Sequence, residues 1–370
     1  MERAQSPEDL RIFQLQERLR LHTQFVRNWG FFKRVIRISK ALYEPLDAYY
    51  ERGVGISATE IITVFERLVR KNEKDTNIHV RRLRPVRRAR SVGDAVPAYF
   101  DMLPETEGSP DDLIDWLDDQ GASVDDVWPL ILSHADLRLL ETFVFSSDDL
   151  ASGASLPAER VQRALDALSH LFGDLSEKDP CHFFLTNPVW TRPAIRLEHA
   201  RYFCPMPQLF FSFIFRILDG LLADDEKARA ACVARRSDFL EEETAALFRA
   251  AFPGCEPIRN YEWSESGVPY ETDLLLPIDS HLIIVEAKSG CVSLPALRGA
   301  PARARKHIKE LIIDLAIQSE RLATKLLKMR VGPENTPDLL HPLPFDLQSI
   351  RTIVRLSVTL EDFATIQSNL

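Results

Sequence analysis

Two apolar runs separated by a short polar break restrict the fold of this chain more than any other feature. The runs are Leu274–Ile278 and Leu282–Val285, and the Asp-Ser pair at 279–280 between them favours a tight turn. This pattern predicts a β-hairpin. If its loop has two residues, the pairing places Asp273 directly opposite Glu286.

Charged residues lie on one face of the second strand of this hairpin. Side chains alternate along a strand, so Glu286 and Lys288 share a face with Leu282 and Ile284. Directly opposed residues have Cβ atoms roughly 5 Å apart, and like charges at that separation destabilise a sheet unless a cation lies between them. A continuous apolar strand is normally covered on both faces, where bare charges are costly. The pattern of Asp273 and Glu286 therefore favours a bound cation.

Mg²⁺, or Mn²⁺ in its place, suits this arrangement. Such hard cations bind carboxylate oxygens, several waters and the phosphate oxygens of a substrate. The ion polarises a phosphate and lowers the pKa of a bound water, while Lys288 can orient that water or stabilise developing negative charge. The alternative is structural, with Asp273 as a solvated strand start and Glu286 and Lys288 as an ordinary ion pair.

The spacing of these three residues resembles the PD-(D/E)xK nuclease superfamily, which has the restriction-endonuclease-like fold. Asp273 matches the first acid of the motif, Glu286 the second acid and Lys288 the lysine, with Thr272 in place of the usual proline. The resemblance implies an α/β domain with a mixed central sheet flanked by helices. It also implies metal-dependent hydrolysis of DNA, with RNA not excluded, and metal coordination completed by the carbonyl of Ala287.

The superfamily also has a helix before the hairpin, often with a glutamate, and residues 236–248 are similar. Of three consecutive glutamates there, we assign Glu241 to assist the metal or water, because it borders an apolar stripe that faces the sheet. The stripe consists of Phe239, Leu240, Leu247 and Phe248, with Thr244 and Ala245 between them. Glu243 is the competing choice, and a solvated acidic face for all three glutamates is the alternative.

Apolar residues recur at helical intervals after the hairpin, which predicts one long helix from Ala302 to Lys328. Some branches of the superfamily have a Gln on this helix near the metal-bound phosphate, so the resemblance gives Gln318 a catalytic role. The Gln318-x-x-Arg321 spacing is similar to the nuclease-related branch, whereas Leu322 stands where RecB-type members have Tyr. Residues 349–360 alternate enough to predict a further strand of the same sheet.

The segment from Ser289 to Arg330 is basic, with nine Lys or Arg residues against three acids. Neutralisation of phosphates by such residues dominates nucleic-acid affinity, so a basic strip beside a metal site fits a DNA or RNA backbone. A solvated helical face is the alternative. The basic residues are Arg298, Arg303, Arg305, Lys306, Lys309, Arg321, Lys325, Lys328 and Arg330.

The chain of 370 residues is long enough for two or three domains. We predict a mainly helical N-terminal region over 1–175, a connecting hairpin and helix over 176–224, and the nuclease-like domain over 225–370. The helical region contains a capping box, Ser57-Ala-Thr-Glu60, that starts a helix. Alternation within 193–203 predicts the small hairpin of the connecting region.

Charge is unevenly distributed in this protein of net charge −9. Residues 91–137 hold twelve acids and no Lys or Arg, whereas residues 80–90 hold six arginines. The acidic block is interpreted as a solvated helical surface, with shielding of the active face or a basic partner as alternatives. The arginines either form a basic arm for a phosphate backbone or pair with the acidic block, and the sequence leaves both open.

The remaining sequence patterns argue against several classes of protein. No apolar run approaches the roughly 20 residues of a membrane span, and no signal peptide is recognised, so a cytoplasmic protein without a membrane partner is expected. The five cysteines are scattered without a Cys-x-x-Cys pair, which argues against a zinc site or disulfides. The leading hypothesis is a Mg²⁺-dependent nuclease. A non-cleaving scaffold of the same fold, which binds nucleic acid or a protein through its helical region, is the alternative.

Overall fold

The computed structural model describes residues 10–11, 13–14, 16–18, 30–183, 187–297, 300–332 and 342–361. Arg298 of the basic segment lies outside them. The helices are α1 Phe32–Tyr43, α2 Asp47–Gly53, α3 Ala58–Arg82, α4 Arg84–Arg88, α5 Val92–Met102, α6 Pro110–Asp119, α7 Val124–Leu139, α8 Ser147–Ala154, α9 Ala158–Ala167, α10 Leu209–Ser212, α11 Ile214–Leu221, α12 Glu226–Ala251, α13 Leu294–Leu297, α14 Pro301–Ile308 and α15 Asp314–Val331. The strands are β1 Val144–Ser146, β2 Ser169–His170, β3 Ala194–Arg196, β4 Arg201–Phe203, β5 Ile258–Glu265, β6 Val268–Ile278, β7 His281–Lys288 and β8 Thr352–Thr359.

The chain is mixed α/β and forms two compact units. The first, called the helical unit, comprises residues 39–178 and 188–221. The second, called the sheet unit, comprises residues 1–38, 179–187 and 222–370. Of the helices that the structure describes, none is long and apolar enough to cross a bilayer.

The helical unit begins its longest helix, α3, with the predicted capping box. The hydroxyl of Ser57 accepts the N–H of Glu60 at 3.1 Å, and the carboxylate of Glu60 accepts the N–H of Ser57 at 3.1 Å. This reciprocal pair satisfies two of the donors that a helix N-terminus leaves free. The unit also contains a small sheet of order β1-β4-β3-β2, in which the antiparallel pair β3 and β4 confirms the hairpin predicted within 193–203.

The sheet unit is built on four strands in the order β5-β6-β7-β8. Neighbours are antiparallel from β5 to β7, and β8 lies parallel to β7. The predicted hairpin is confirmed, because Ile278 pairs with His281 across a two-residue turn and Leu274 pairs with Val285 further along. Strand β8 confirms the strand predicted for 349–360.

Helices cover both faces of this sheet. On one face Ile284 of β7 packs with Leu322 of α15, and on the other face Val285 packs with Ala245 of α12. Residues of β7 therefore alternate between two apolar cores, as the period of a strand requires. Glu286 continues the face that α15 covers.

Two details differ from the sequence-based expectations. The segment predicted as one long helix is helical throughout, but a π-helical stretch, Lys309–Ile313, separates α14 from α15. The apolar stripe on α12 is shorter than predicted, because Leu247 is 59% exposed. Leu247 lies within about 20° of the buried Leu240 around the helix axis, so it shares that face, but the face is no longer covered at its position.

Candidate active site

Glu286 is a buried carboxylate at the end of β7, with 1% of its surface exposed. Its Oε2 accepts a hydrogen bond of 2.8 Å from Nε2 of Gln318 on α15. Its Oε1 is buried and has no hydrogen-bond partner among the described residues. Burial and the negative charge of Asp273 raise the pKa of Glu286 to about 8, and the Thr272 hydroxyl and the charge of Lys288 offset this only in part.

Asp273 lies where β6 and β7 stop pairing. The ladder between the two strands ends at Leu274 and Val285, and beyond it the carboxylate of Asp273 accepts the N–H of Ala287 at 2.5 Å. Burial raises the pKa of Asp273 and the charge of Glu271 adds to that, while the Ala287 N–H and Lys288 lower it. A side-chain oxygen thus replaces a backbone acceptor at the strand end.

Strand β6 is distorted at this point. Tyr270 and Leu275 contact the same apolar core although an odd number of positions separates them, so the alternation of side chains is interrupted between them. Asn260, opposite Asp273 in the register of β5 and β6, has a φ of 53°. The pairs on either side keep one register. The distortion is therefore local, and like a β-bulge it changes the direction of a side chain at a candidate site.

Lys288 is the exposed last residue of β7. Its charge lowers the pKa of both Asp273 and Glu286, so its ammonium group lies near both carboxylates. It forms no ion pair in the part of the chain that the structure describes, which disagrees with the alternative of an ordinary Glu286–Lys288 ion pair. The chain after it is held by Arg236 of α12, which donates to the carbonyl of Ser289 at 3.2 Å.

The three glutamates of α12 have different partners. Glu241 pairs with Arg259 of β5 at 3.2 Å, whereas Glu242 pairs with Arg235 at 2.9 Å and Glu243 with Arg37. Burial raises the pKa of Glu241, the bond from Arg259 lowers it, and the charge of Asp273 raises it further. Glu241 is thus the member of the triplet whose charge is coupled to Asp273.

Gln318 connects the two strands of the site. Its Nε2 donates to Glu286 and also, at 2.7 Å, to the backbone carbonyl of Glu271 on β6. One turn later on α15, the exposed guanidinium of Arg321 lies 5.5 Å from the ring centroid of Tyr270 and 3.4 Å from its hydroxyl. The predicted spacing of Gln318 and Arg321 therefore places both side chains beside the end of β6.

The predicted basic strip is only partly available to a ligand. Lys325 is 4% exposed and donates to the backbone carbonyl of Ser264, so its assignment to a solvent-facing strip was wrong. The reason is that Lys325 lies on the apolar face of α15, where it packs 5.5 Å from the ring of Trp263. Lys306 and Lys309 pair with acids of their own helical segment. Arg321 has no carboxylate partner within the described residues.

The structure adds two residues that the sequence reasoning did not assign. Glu271 raises the pKa of both Asp273 and Glu286 through its charge. Its position two residues before Asp273 is a visible signal, because acids at alternate positions of a strand stay close together. Arg259 carried no such signal, since its partner Glu241 lies 18 residues away in the chain.

Asp273 and Glu286 fit a hard divalent cation. No group of three or more His, Cys, Asp or Glu side chains is placed to hold a metal within the described ranges. Mg²⁺ nevertheless commonly uses one or two carboxylates and takes its other ligands from water and substrate. The partnerless Oε1 of Glu286, the mutual repulsion of the two carboxylates and their oxygen chemistry all suit such an ion.

Comparison with known proteins adds no relative, since no protein-family model, no curated protein and no solved structure matches the chain. The site is therefore interpreted from its own residues.

Proposed function

We propose that this protein is a Mg²⁺-dependent nuclease that hydrolyses phosphodiester bonds of DNA, with RNA as the alternative substrate. The observation that carries the proposal is the carboxylate of Glu286, buried beside Asp273 with one oxygen lacking any partner in the described part of the chain. A buried charge without a partner costs several kcal/mol, and proteins normally pair it or use it to coordinate a metal. The resemblance to the PD-(D/E)xK superfamily agrees with this interpretation.

Asp273 and Glu286 would hold the ion, with the carbonyl of Ala287 as a further oxygen ligand. When bound, Mg²⁺ supplies positive charge that polarises the phosphate and acidifies a bound water. Gln318 fixes the orientation of Glu286 because it holds Oε2 and is itself tied to the backbone of β6. The bond from the Ala287 N–H fixes Asp273 in the same way. Both ligands are therefore positioned before a substrate arrives.

Lys288 and Glu241 would act on the attacking water. The ammonium of Lys288 can donate a hydrogen bond to the water oxygen and stabilise negative charge as the new P–O bond forms and the bond to the leaving sugar oxygen breaks. Glu241 has a raised pKa, which makes its carboxylate a stronger proton acceptor than an ordinary glutamate. Arg321 offers a cation for a neighbouring phosphate, since its guanidinium is exposed and forms no ion pair with a described carboxylate.

The direct test is cleavage of labelled duplex DNA, single-stranded DNA and RNA with Mg²⁺, with Mn²⁺ and with a chelator. We expect metal-dependent cutting by the full chain. Lys288→Ala should lower the rate by about 10²- to 10⁴-fold, the range for loss of a group that assists proton transfer and charge stabilisation. Because Lys288 is exposed, the variant should keep its melting temperature and its affinity for nucleic acid.

Lys227→Ala is the matched control, because Lys227 is an exposed lysine of the same unit at the start of α12. It should cut as fast as the wild type. A chain that binds nucleic acid but cuts none of these substrates with either metal would instead be the non-cleaving scaffold. Cutting by Lys288→Ala at the wild-type rate would remove Lys288 from the mechanism.

A further inference from the structure

Six arginines lie within one short segment of the helical unit, at the end of α3, in α4 and just after α4. All six are exposed, whereas Leu83 and Val86 between them are buried at 7% and 0% exposure. These two apolar residues join a core formed with α5, α6 and α7. The segment is thus anchored by its apolar residues, and its charges face solvent. The arginines are Arg81, Arg82, Arg84, Arg87, Arg88 and Arg90.

None of these guanidinium groups forms an ion pair with a carboxylate of residues 30–183, 187–297, 300–332 or 342–361. The neighbouring acidic block shares their apolar core, yet its Glu105 pairs with Arg138 of α7. The structure therefore disagrees with the alternative in which these arginines form ion pairs with the acidic block. Six like charges therefore lie close together with no ion pair to a described carboxylate, and their mutual repulsion destabilises the segment unless an anion binds to it.

The chemistry of the segment favours phosphates over other polyanionic surfaces. All six cations are arginines, whose planar fork binds a phosphate through two parallel hydrogen bonds, and none is a lysine. An amphipathic helix that lies in a lipid surface buries apolar side chains in the interface, but Leu83 and Val86 are turned into the core. A regular row of phosphates, as in a nucleic-acid backbone, matches several guanidinium groups spaced along two helical turns.

We propose that this arginine segment binds the phosphate backbone of duplex DNA, as a contact surface of the helical unit in addition to the candidate active site of the sheet unit. The choice of nucleic acid among polyanions rests on the proposed function. The acidic helices on the same core repel phosphates, so they restrict the backbone to the arginine side. The segment raises affinity without reading sequence and takes no part in the chemical step.

The test is binding of the full chain to a labelled 30-base-pair duplex in EDTA, so that cutting plays no part. The variant Arg81→Gln/Arg84→Gln/Arg88→Gln removes three charges with a residue that keeps helix propensity. We expect this variant to bind the duplex at least about tenfold more weakly than the wild type near 0.1 M salt. The slope of log K against log salt concentration should become shallower by about 0.9 for each lost phosphate contact. A triple Arg→Lys variant at the same positions should keep most of the salt dependence, because its charge is unchanged.

The matched control is Lys178→Gln/Arg192→Gln/Arg201→Gln, which changes three exposed residues of the same unit. Both Gln variants shift the net charge from −9 to −12. Equal binding by the two Gln variants overturns the inference, even if the wild type cuts DNA. So does a wild type that binds anionic vesicles but no nucleic acid. If only the arginine variant loses binding while no metal supports cutting by any variant, the inference holds and the proposed function fails.

Discussion

Glu60 in the helical unit and Glu286 in the sheet unit are both partly or fully buried glutamates, and their pKa values shift in opposite directions. Burial alone would raise the pKa of Glu60, but hydrogen bonds from Arg160 and Ser57 lower it below the usual value. No described cation pairs with Glu286, and burial with the charge of Asp273 raises its pKa to about 8. The fold therefore compensates one carboxylate internally and leaves the other uncompensated.

The difference separates a structural charge from a functional one. Arg160 binds Glu60 through two nitrogens and also reaches Glu51, so Glu60 has a cation in direct contact with its carboxylate. At Glu286 the donors are neutral, namely the amide of Gln318 and the hydroxyl of Thr272, and neither can neutralise its charge. A strongly perturbed titratable group without a structural partner is a candidate for function. The comparison predicts that changes at the two glutamates have different consequences.

The largest effect is expected for Glu286→Gln, which keeps the shape of the side chain but removes a metal ligand charge. We expect cleavage to fall on the order of 10³-fold, about 4 kcal/mol of transition-state stabilisation. Added MgCl₂ should raise the melting temperature of the wild type but not that of the variant, because only the wild type binds the ion. Differential scanning calorimetry and the cleavage assay measure both effects.

The same variant should not destabilise the metal-free protein. A carboxyl whose folded pKa is about 8 binds more protons in the folded state than its unfolded form, so wild-type stability falls between about pH 4.3 and about 8. Glu286→Gln removes this loss. Glu265→Gln, an exposed site on β5, is the control and should behave as the wild type. Equal stabilisation of Glu286→Gln and the wild type by MgCl₂ would place the ion elsewhere.

Loss of the compensating cation in the helical unit should have a smaller effect, on stability alone. Arg160→Ala leaves Glu60 partly buried without its partner, and we expect about 1–3 kcal/mol of destabilisation at pH 7 in urea unfolding. Because the folded pKa of Glu60 is lowered, this contribution is present above its unfolded pKa and is lost as the pH falls through the folded pKa. The difference between variant and wild type should therefore shrink below about pH 4.3.

Arg163→Ala is the control for this change, because Arg163 also lies on α9 but, among the residues that the structure describes, donates only to the backbone carbonyl of Gly55. Arg163→Ala should lower the free energy of unfolding by less than Arg160→Ala does, and this loss should not depend on pH in that range. Metal-dependent cleavage should be retained by both variants at a temperature where both are folded. A loss of cleavage in Arg160→Ala under those conditions would break the division between a structural and a functional carboxylate.

Much of the sheet unit was predictable because its determinants are local in sequence. The hairpin follows from two apolar runs and an Asp-Ser turn, and period-two alternation alone placed Glu286 on the same face as Leu282 and Ile284, which pack against α15. The capping box of α3 is equally local. Where an interaction joins residues within a few positions, the residue types determine it.

The rest of the site depends on contacts between distant segments. The distortion at Asn260 and Asp273 arises from two strands together, and neither strand reveals it alone. The choice of Glu241 over Glu243 depends on Arg259 and Arg37, which come from separate elements. Leu247 and Lys325 were misassigned because helix periodicity fixes relative faces, while packing decides which face is covered.

The smallest effect is expected at Arg321, a cation that has an aromatic ring as its neighbour but no described carboxylate. Tyr270 restricts the guanidinium through its ring and hydroxyl and is itself stacked on Trp263 at 4.8 Å. Arg321→Ala should raise KM for DNA about 3- to 10-fold, because one phosphate contact is worth on the order of 1 kcal/mol at moderate salt. The value of kcat should stay within about twofold, since the residues proposed for the chemical step are unchanged.

Arg229→Ala is the matched control, because Arg229 is an exposed arginine near the start of α12, three turns before Glu241 and roughly 18 Å from it along the helix. It should leave KM and kcat unchanged. If Arg321→Ala lowers kcat and leaves KM unchanged, Arg321 acts on the reacting phosphate and belongs with Lys288. If neither parameter changes, the contact between Arg321 and Tyr270 is structural. The charges of the candidate active site that act on the substrate are then those of Asp273, Glu286 and Lys288.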